Sequence, residues 1–312
     1  MLDELFPRRE AAKKAGDGVA SNAIKILMNS FYGVLGTPAC RFYNPALANA
    51  ITGTGRELLL WSKAWFEAAG FKVLYGDTDS LFVLAGADDP RQAAEQGREL
   101  AAQLNRELRR HIAERWRVAS RLELEFEKLY LKLFLPRARH STRGASKRYV
   151  GLIGGADGDT VEFVGMEVVR RDWTGLAKQV QRELYQRLFT DQPVDVYLSD
   201  IVKTVRAGEL DKLLVYRKSL RKGADAYTAT TPPHVAAARK SPQPVGKALG
   251  KKVIEYVMTT AGPEPLDNIQ HPPDREHYVA KQIRPVAEPV LATLGLDFDT
   301  VIGDGRQAEL PF

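Results

Sequence analysis

The stretch KVLYGDTDSLFVL, Lys72 to Leu84, constrains the fold more than any other part of the chain. Apolar runs flank the tetrapeptide GDTD, which has the composition of a tight turn, so the segment reads as an antiparallel hairpin. Its tip carries two carboxylates, Asp77 and Asp79, one residue apart. Like charges that close repel unless water or a cation separates them. Gly-Asp and Thr-Asp are also ordinary turn chemistry, so on this stretch alone an acidic tip without function stays open. The chemical reading is a carboxylate pair on a rigid turn that helps hold Mg2+, an ion suited to few carboxylates, phosphate oxygens and water. Residues i and i+2 of a strand face one side, so the two groups converge if strand geometry reaches the tip.

The surrounding pattern places this hairpin among helices. The first twenty residues are polar and expected to fray. SNAIKILMNSFY (21–32) reads as a helix, and NPALANAITGTGRELLLWSKAWFEAAG (44–70) as a second, with proline near its start and Gly70 as its stop. A third long helix covers 89–116, aided by Pro90 in its first turn. RLELEFEKLYLKLFL (121–135) alternates apolar and charged residues, as a half-buried strand does. KRYVGLIGG and TVEFVGMEVV read as further strands, after which the chain turns mostly helical, with a boundary near Asp172. The fold class is therefore α+β, with a largely antiparallel sheet followed by a helical region.

Charge distribution bears on partners. The 312 residues carry a net charge of +6, and basic residues gather in 137–149, 169–173, 216–223 and 238–252. Solvated basic loops explain any one of these runs; several in one chain favour a nucleic-acid partner. A single cysteine, Cys40, excludes an internal disulfide and a cysteine-based zinc cluster. No apolar run is long enough to span a bilayer, and the N-terminus lacks the apolar core of a secretory signal, so no membrane partner and a cytoplasmic location are expected. GKALGKK has the wrong spacing for a phosphate-binding P-loop, and no H-E-x-x-H occurs.

On the helix KILMNSFYG, Lys25, Asn29 and Tyr32 stand at i, i+4 and i+7 and share one face. An amphipathic helix with a solvated lysine is the plainer reading of those residues. Beside a metal-binding hairpin, the same face offers an ammonium, an amide and a ring to the ends of a nucleoside triphosphate.

These segments together resemble family B DNA polymerases. KILMNSFYG (25–33) resembles the fingers motif K-x-x-x-N-S-x-Y-G, and YGDTDS (75–80) matches the palm motif letter for letter. LELEFEKLY and SKRYVGL resemble the following palm strands and the K-x-Y motif. GMEVVRRDW resembles the palm-to-thumb junction, and PPHVAAARK with HYVAKQIRPV resemble thumb segments. The likeness runs in family order over most of residues 21–312, and FYGVLGTPACRFYNPALANAIT resembles the bacterial members especially.

The resemblance implies late fingers over 1–40, palm over 41–171, thumb over 172–300 and a flexible tail over 301–312. It implies that Asp79 is a direct ligand of two catalytic Mg2+ ions and that Asp77 is a close second carboxylate. Lys25 would contact the incoming dNTP, with Asn29 and Tyr32 lining its pocket. Lys147, Arg148 and Tyr149 would contact primer–template DNA. Arg170 and Arg171 are implied either as DNA-backbone contacts or as salt-bridge partners within the palm. The terminal QAELPF fits the Q-x-x-L-x-F pattern of bacterial sliding-clamp ligands, with Gln307 as the hydrogen-bonding end and Leu310 and Phe312 as apolar anchors.

One part of the family pattern has no counterpart here. No D-x-x-S-L-Y-P-like segment, which carries the palm's other metal-binding aspartate, occurs in the 312 residues, and MLDELFPRRE is not a version of it. The first fingers helix and the 3′–5′ exonuclease motifs are likewise unmatched, and SNAIK departs from the family in lacking a glutamine before the lysine. The expectation is the C-terminal portion of a template-directed polymerase, weak or inactive alone and completed by a chain carrying the missing carboxylate. The competing expectation is a non-catalytic DNA- and clamp-binding module derived from a polymerase.

Overall fold

The computed structural model describes residues 2–137, 146–155, 158–242 and 253–303. The chain forms two compact units, Met1–Glu127 and Lys128–Phe312.

The first unit opens on α1 (Leu2–Lys14), where fraying was expected. Asp3 and Glu4 in its first turn and Lys13 and Lys14 in its last complement the helix dipole. Arg121 anchors it by bonding Asp3 and lying over the Phe6 ring. Helix α2 (Gly18–Leu35) starts on Asp17, whose side chain accepts from the Ala20 amide. Asn44 caps α3 (Pro45–Ala68), with Pro45 in the first turn where its missing N–H costs nothing. Gly70 ends α3 at φ +87°, in the left-handed region that favours glycine. The hairpin follows as β1 (Lys72–Asp77) and β2 (Ser80–Leu84), antiparallel, with an irregularity between Val73 and Tyr75. Helix α4 (Pro90–Trp116) is capped by Asp89 and packs on α3. There Trp61 stacks on His111 at 4.6 Å, and Glu57 bonds Arg115 at 2.8 Å.

The core of this unit is thin. Phe66, Leu104, Leu108 and Ile112 are buried, but α2 buries no residue, Met28 included, and Ile26 and Leu27 are exposed. The strand expected over 121–135 is confined to β3 (Lys132–Phe134). Alternation specifies a half-buried segment but not its partner. At Leu124 the partner is the side-chain amide of Asn105 on α4, which donates to the carbonyl and accepts from the N–H, both at 2.8 Å.

In the second unit β3 pairs with β4 (Tyr149–Ile153), and β4 with β5 (Thr160–Val164), all antiparallel. A 3-10 turn, Glu167–Val169, leads to α5 (Gly175–Phe189), the axis of the core. Its Leu176, Val180, Leu184 and Tyr185 are fully buried. Around it lie α6 (Val194–Ala207) and a second three-stranded sheet, β6 (Tyr216–Ser219), β7 (Val253–Thr259) and β8 (Gly262–Pro265). That sheet interrupts the region expected to be mostly helical. Helices α7 (Pro233–Lys240), α8 (Arg275–Tyr278), α9 (Arg284–Leu294) and α10 (Phe298–Ile302) complete the unit. Between α8 and α9 a π-helical turn, Val279–Ile283, carries Gln282, which accepts from the Thr174 backbone and hydroxyl at the start of α5. Val150, Leu152, Met166 and Val168 share one apolar cluster with α5, α6 and α9.

Candidate functional site

Asp77 closes β1 opposite Ser80, and Thr78 and Asp79 form the two-residue turn. Thr78 sits at φ +53°, a costly region for a β-branched residue. Local hydrogen bonds hold it there. The Thr78 hydroxyl donates to Asp77 Oδ1 at 3.1 Å, the Asp79 N–H to the Asp77 carbonyl at 2.6 Å, and the Ser80 hydroxyl to the same carbonyl at 3.2 Å. Asp77 is half-buried and Asp79 exposed. Strand alternation therefore stops at Asp77, and the turn, not the pleat, sets the direction of Asp79.

Two hard oxygen donors on one fixed turn suit Mg2+, which prefers oxygen ligands and keeps positions for water or phosphate. Among the described residues no three His, Cys, Asp or Glu side chains gather as a metal-binding group.

Lys25, Asn29 and Tyr32 are all exposed on α2, whose regular geometry stacks them along one face. Helix α2 contacts α3, and α3 contacts both strands of the hairpin.

In the second unit, Lys147 precedes β4 with φ +58° and is exposed, while Arg148 and Tyr149 are half-buried. The Lys147 carbonyl lies against Gly165, itself at φ +63°. Tyr149 meets the Tyr130 ring edge-to-face, and Tyr130 hydrogen-bonds Glu162, which also accepts from Lys128 Nζ at 3.0 Å. The Tyr130 ring covers Gly151, where a Cβ would stand 2.1 Å from it.

Arg148 donates to Glu167, a buried carboxylate that also accepts from Gln181 Nε2 at 2.8 Å. The Gln181 oxygen in turn accepts from the Val168 N–H at 2.8 Å. This network fixes the turn after β5. Arg170 forms an ion pair with Asp172, with Nε 3.0 Å and Nη2 2.8 Å from its two oxygens. Lys218 on β6 reaches the same carboxylate at 3.2 Å. The Arg170 hydrogen bonds, with Lys218 adding to them, hold the Asp172 carboxyl down to about 2. Arg171 is exposed.

The Asp172 and Lys218 contributions escaped sequence reasoning, although Lys218 lies in the basic run 216–223. Their separation in sequence hides a contact that only the packed sheet creates. Gln307, Leu310 and Phe312 lie outside the described residues.

Comparisons with known proteins converge on one family. The model of DNA polymerase family B matches residues 11–292. The chain is 44% identical to DNA polymerase II of Escherichia coli strain K12, over 97% of this chain and 39% of that protein. It is 32% identical to DNA polymerase 2 of Aeropyrum pernix, over 92% of this chain and 34% of the relative. The family B DNA polymerase structure from Pyrobaculum calidifontis superposes with a TM-score of 0.60 at 25% identity, covering 95% of this chain and 38% of that one. The chain therefore spans about two fifths of the length of these relatives. No helix among the described residues is long and apolar enough to cross a membrane. A family match over most of the chain, joined by close identity to a bacterial member, establishes that the chain belongs to DNA polymerase family B.

Proposed function

We propose that the chain is the C-terminal portion of a template-directed DNA polymerase, with fingers residues over 1–40, palm over 41–171 and thumb over 172–300. The observation that carries this reading is the two-residue turn that fixes Asp77 and presents Asp79 at the hairpin tip. Asp79 is the direct ligand of catalytic Mg2+ and Asp77 the adjacent carboxylate. Asp79 and Asp77 would help hold two Mg2+ ions, which would supply activation of a primer 3′-hydroxyl and stabilisation of the leaving oxygen. Lys25 neutralises the triphosphate of the incoming dNTP, and Asn29 and Tyr32 line its base and sugar. Lys147, Arg148, Tyr149, Arg170 and Arg171 hold primer–template DNA. Gln307, Leu310 and Phe312 form a tail peptide for a sliding clamp.

The remaining metal carboxylate comes from a polymerase segment outside these residues. The exposed apolar positions of α2, Ile26 and Leu27, and of the hairpin, Leu74 and Leu84, support such a covering segment. Primer extension tests the reading. The chain alone extends a primer weakly or not at all, and extension appears when the segment bearing the missing aspartate is supplied. Robust synthesis by the chain alone would refute incompleteness. Synthesis by the completed enzyme that survives Asp79→Ala would refute the metal role and leave a non-catalytic DNA-binding module. Deleting 307–312 leaves short-template extension intact but removes clamp-dependent processivity; equal processivity with and without the tail refutes the clamp assignment.

A further inference from the structure

Tyr149 and Gly151 stand two residues apart on β4 and so share one face of the sheet, while Val150 and Leu152 are buried on the other. Glu162 on β5 is the cross-strand partner of Gly151, which puts its carboxylate on the same outer face. Tyr130, two residues before β3, lies across this patch. Its ring covers Gly151 so closely that a Cβ there would stand 2.1 Å from Cδ1. Its hydroxyl bonds Glu162, and its ring meets Tyr149 edge-on, with centroids 6.1 Å apart and planes at 77°. The two tyrosine side chains also hydrogen-bond each other. Lys128 Nζ closes the group, 3.0 and 3.2 Å from the Glu162 oxygens and 5.9 Å from the centre of the Tyr130 ring.

Each contact removes a different freedom from Tyr130. The missing side chain at Gly151 lets the ring lie flat on the strand, and Glu162 holds its far end. The Leu131 N–H, 2.8 Å from the Leu152 carbonyl, ties the following backbone to β4. Burial first, and then the bond to Glu162, push the Tyr130 hydroxyl up, so it stays a donor. Burial works to raise the Glu162 carboxyl, but the hydrogen bonds from Tyr130 and Lys128 outweigh it and hold the group below its usual range, as an acceptor. Aromatic pairs favour an edge-to-face arrangement, so a ring fixed on all sides constrains its neighbour. We infer that Tyr130 is a positioning residue: seated on Gly151 and latched to Glu162, it holds the Tyr149 ring in the orientation that meets primer–template DNA. The inference rests on the reading of Tyr149 as a DNA contact and adds a residue that acts through it. Restricting Tyr149 before binding lowers the entropy lost when the strand arrives.

A double-mutant cycle separates positioning from mere structural support. The experiment is an anisotropy titration of the full chain with a labelled primer–template duplex at fixed salt, with thermal unfolding as the control for folding. Every substitution leaves net charge unchanged, so the electrostatic part of binding stays constant. Tyr149→Ala is expected to weaken binding about ten-fold. Tyr130→Leu is expected to weaken it about three- to five-fold when Tyr149 is present, and less than about 1.5-fold in the Tyr149→Ala background. Tyr130→Phe keeps the ring on Gly151 and restores affinity to within about two-fold of the unmodified chain. Tyr130→Met, an adaptable side chain, repeats the cycle so that misfolding of the leucine variant does not decide it. An equal loss in both backgrounds overturns the positioning role, because Tyr130 then acts independently of Tyr149. Unchanged affinity on losing the Tyr130 ring, or Tyr130→Phe as weak as Tyr130→Leu, also overturns it. Silence of Tyr149→Ala overturns the DNA role of Tyr149 and this inference with it. Absence of binding by the unmodified chain overturns the primer–template reading as a whole, whereas a weakened Tyr149→Ala beside silent Tyr130 variants overturns the inference alone.

Discussion

The carbonyl oxygen of Lys147 lies 1.9 Å from the position a Cβ would take on residue 165, and the residue there is glycine. Gly165 has φ +63° and Lys147 φ +58°, so two left-handed residues face each other across the ends of β4 and β5. The close approach fixes the Lys147 backbone at the threshold of the K-x-Y segment. Gly165→Ala therefore meets both a backbone clash and an unfavourable φ. It is expected to cost about 2 kcal/mol or more, lowering Tm by about 4–8 °C in thermal unfolding. A Tm within a degree of the unmodified chain would show that the backbone relaxes freely.

Glu167 is the buried acceptor on which Arg148 and Gln181 converge. Removing it strands a half-buried guanidinium and an amide donor. Glu167→Ala is expected to destabilise by about 2–4 kcal/mol in denaturant unfolding. A double-mutant cycle with Gln181→Ala should show coupling, because the two side chains share one network. Strict additivity would contradict the network.

Asp172 links pH to stability with a definite sign. Its carboxyl titrates near 2 in the folded chain, against an ordinary value of 3.8. The contribution is fully present above the ordinary value and is lost as pH falls towards about 2, because the unfolded chain takes up the proton first. Acid unfolding of the unmodified chain should carry this component, and Asp172→Asn should lack it. Parallel pH–stability curves for the two would count against the ion pairs.

Asp79→Ala in the completed polymerase is expected to lower Mg2+-dependent primer extension by a factor of about 10³, with primer–template affinity unchanged. Asp79 is exposed and holds no other element in place, so its removal should leave Tm within a degree. A parallel loss of DNA binding would point instead to a structural role.

Elements closed by their own neighbours were legible in the sequence. Asn44 and Pro45 with Gly70 bound α3, Asp89 and Pro90 begin α4, and GDTD turns the hairpin, because each of these hydrogen bonds spans only a few residues. The first helix was missed because its polar composition hid the match of its end charges to the helix dipole. The segment 121–131 alternates as a strand should, yet alternation is silent on the partner, which at Leu124 is an asparagine side chain.

The sequence by itself determined the family, the hairpin with Asp77 and Asp79 at its tip, and the shared face of Lys25, Asn29 and Tyr32. The hairpin and the helix face rest on residues close enough in the chain for backbone geometry alone to relate them, and the family on motifs whose order along the chain needs no fold to be read. Only the tertiary structure decided that Lys218 meets Asp172 across 46 residues, that Glu167 holds Arg148, and that Gly165 receives the Lys147 carbonyl. Burial of the strands and helices around α5 brings those groups together. Nothing local in the chain fixes such a contact before the core has formed.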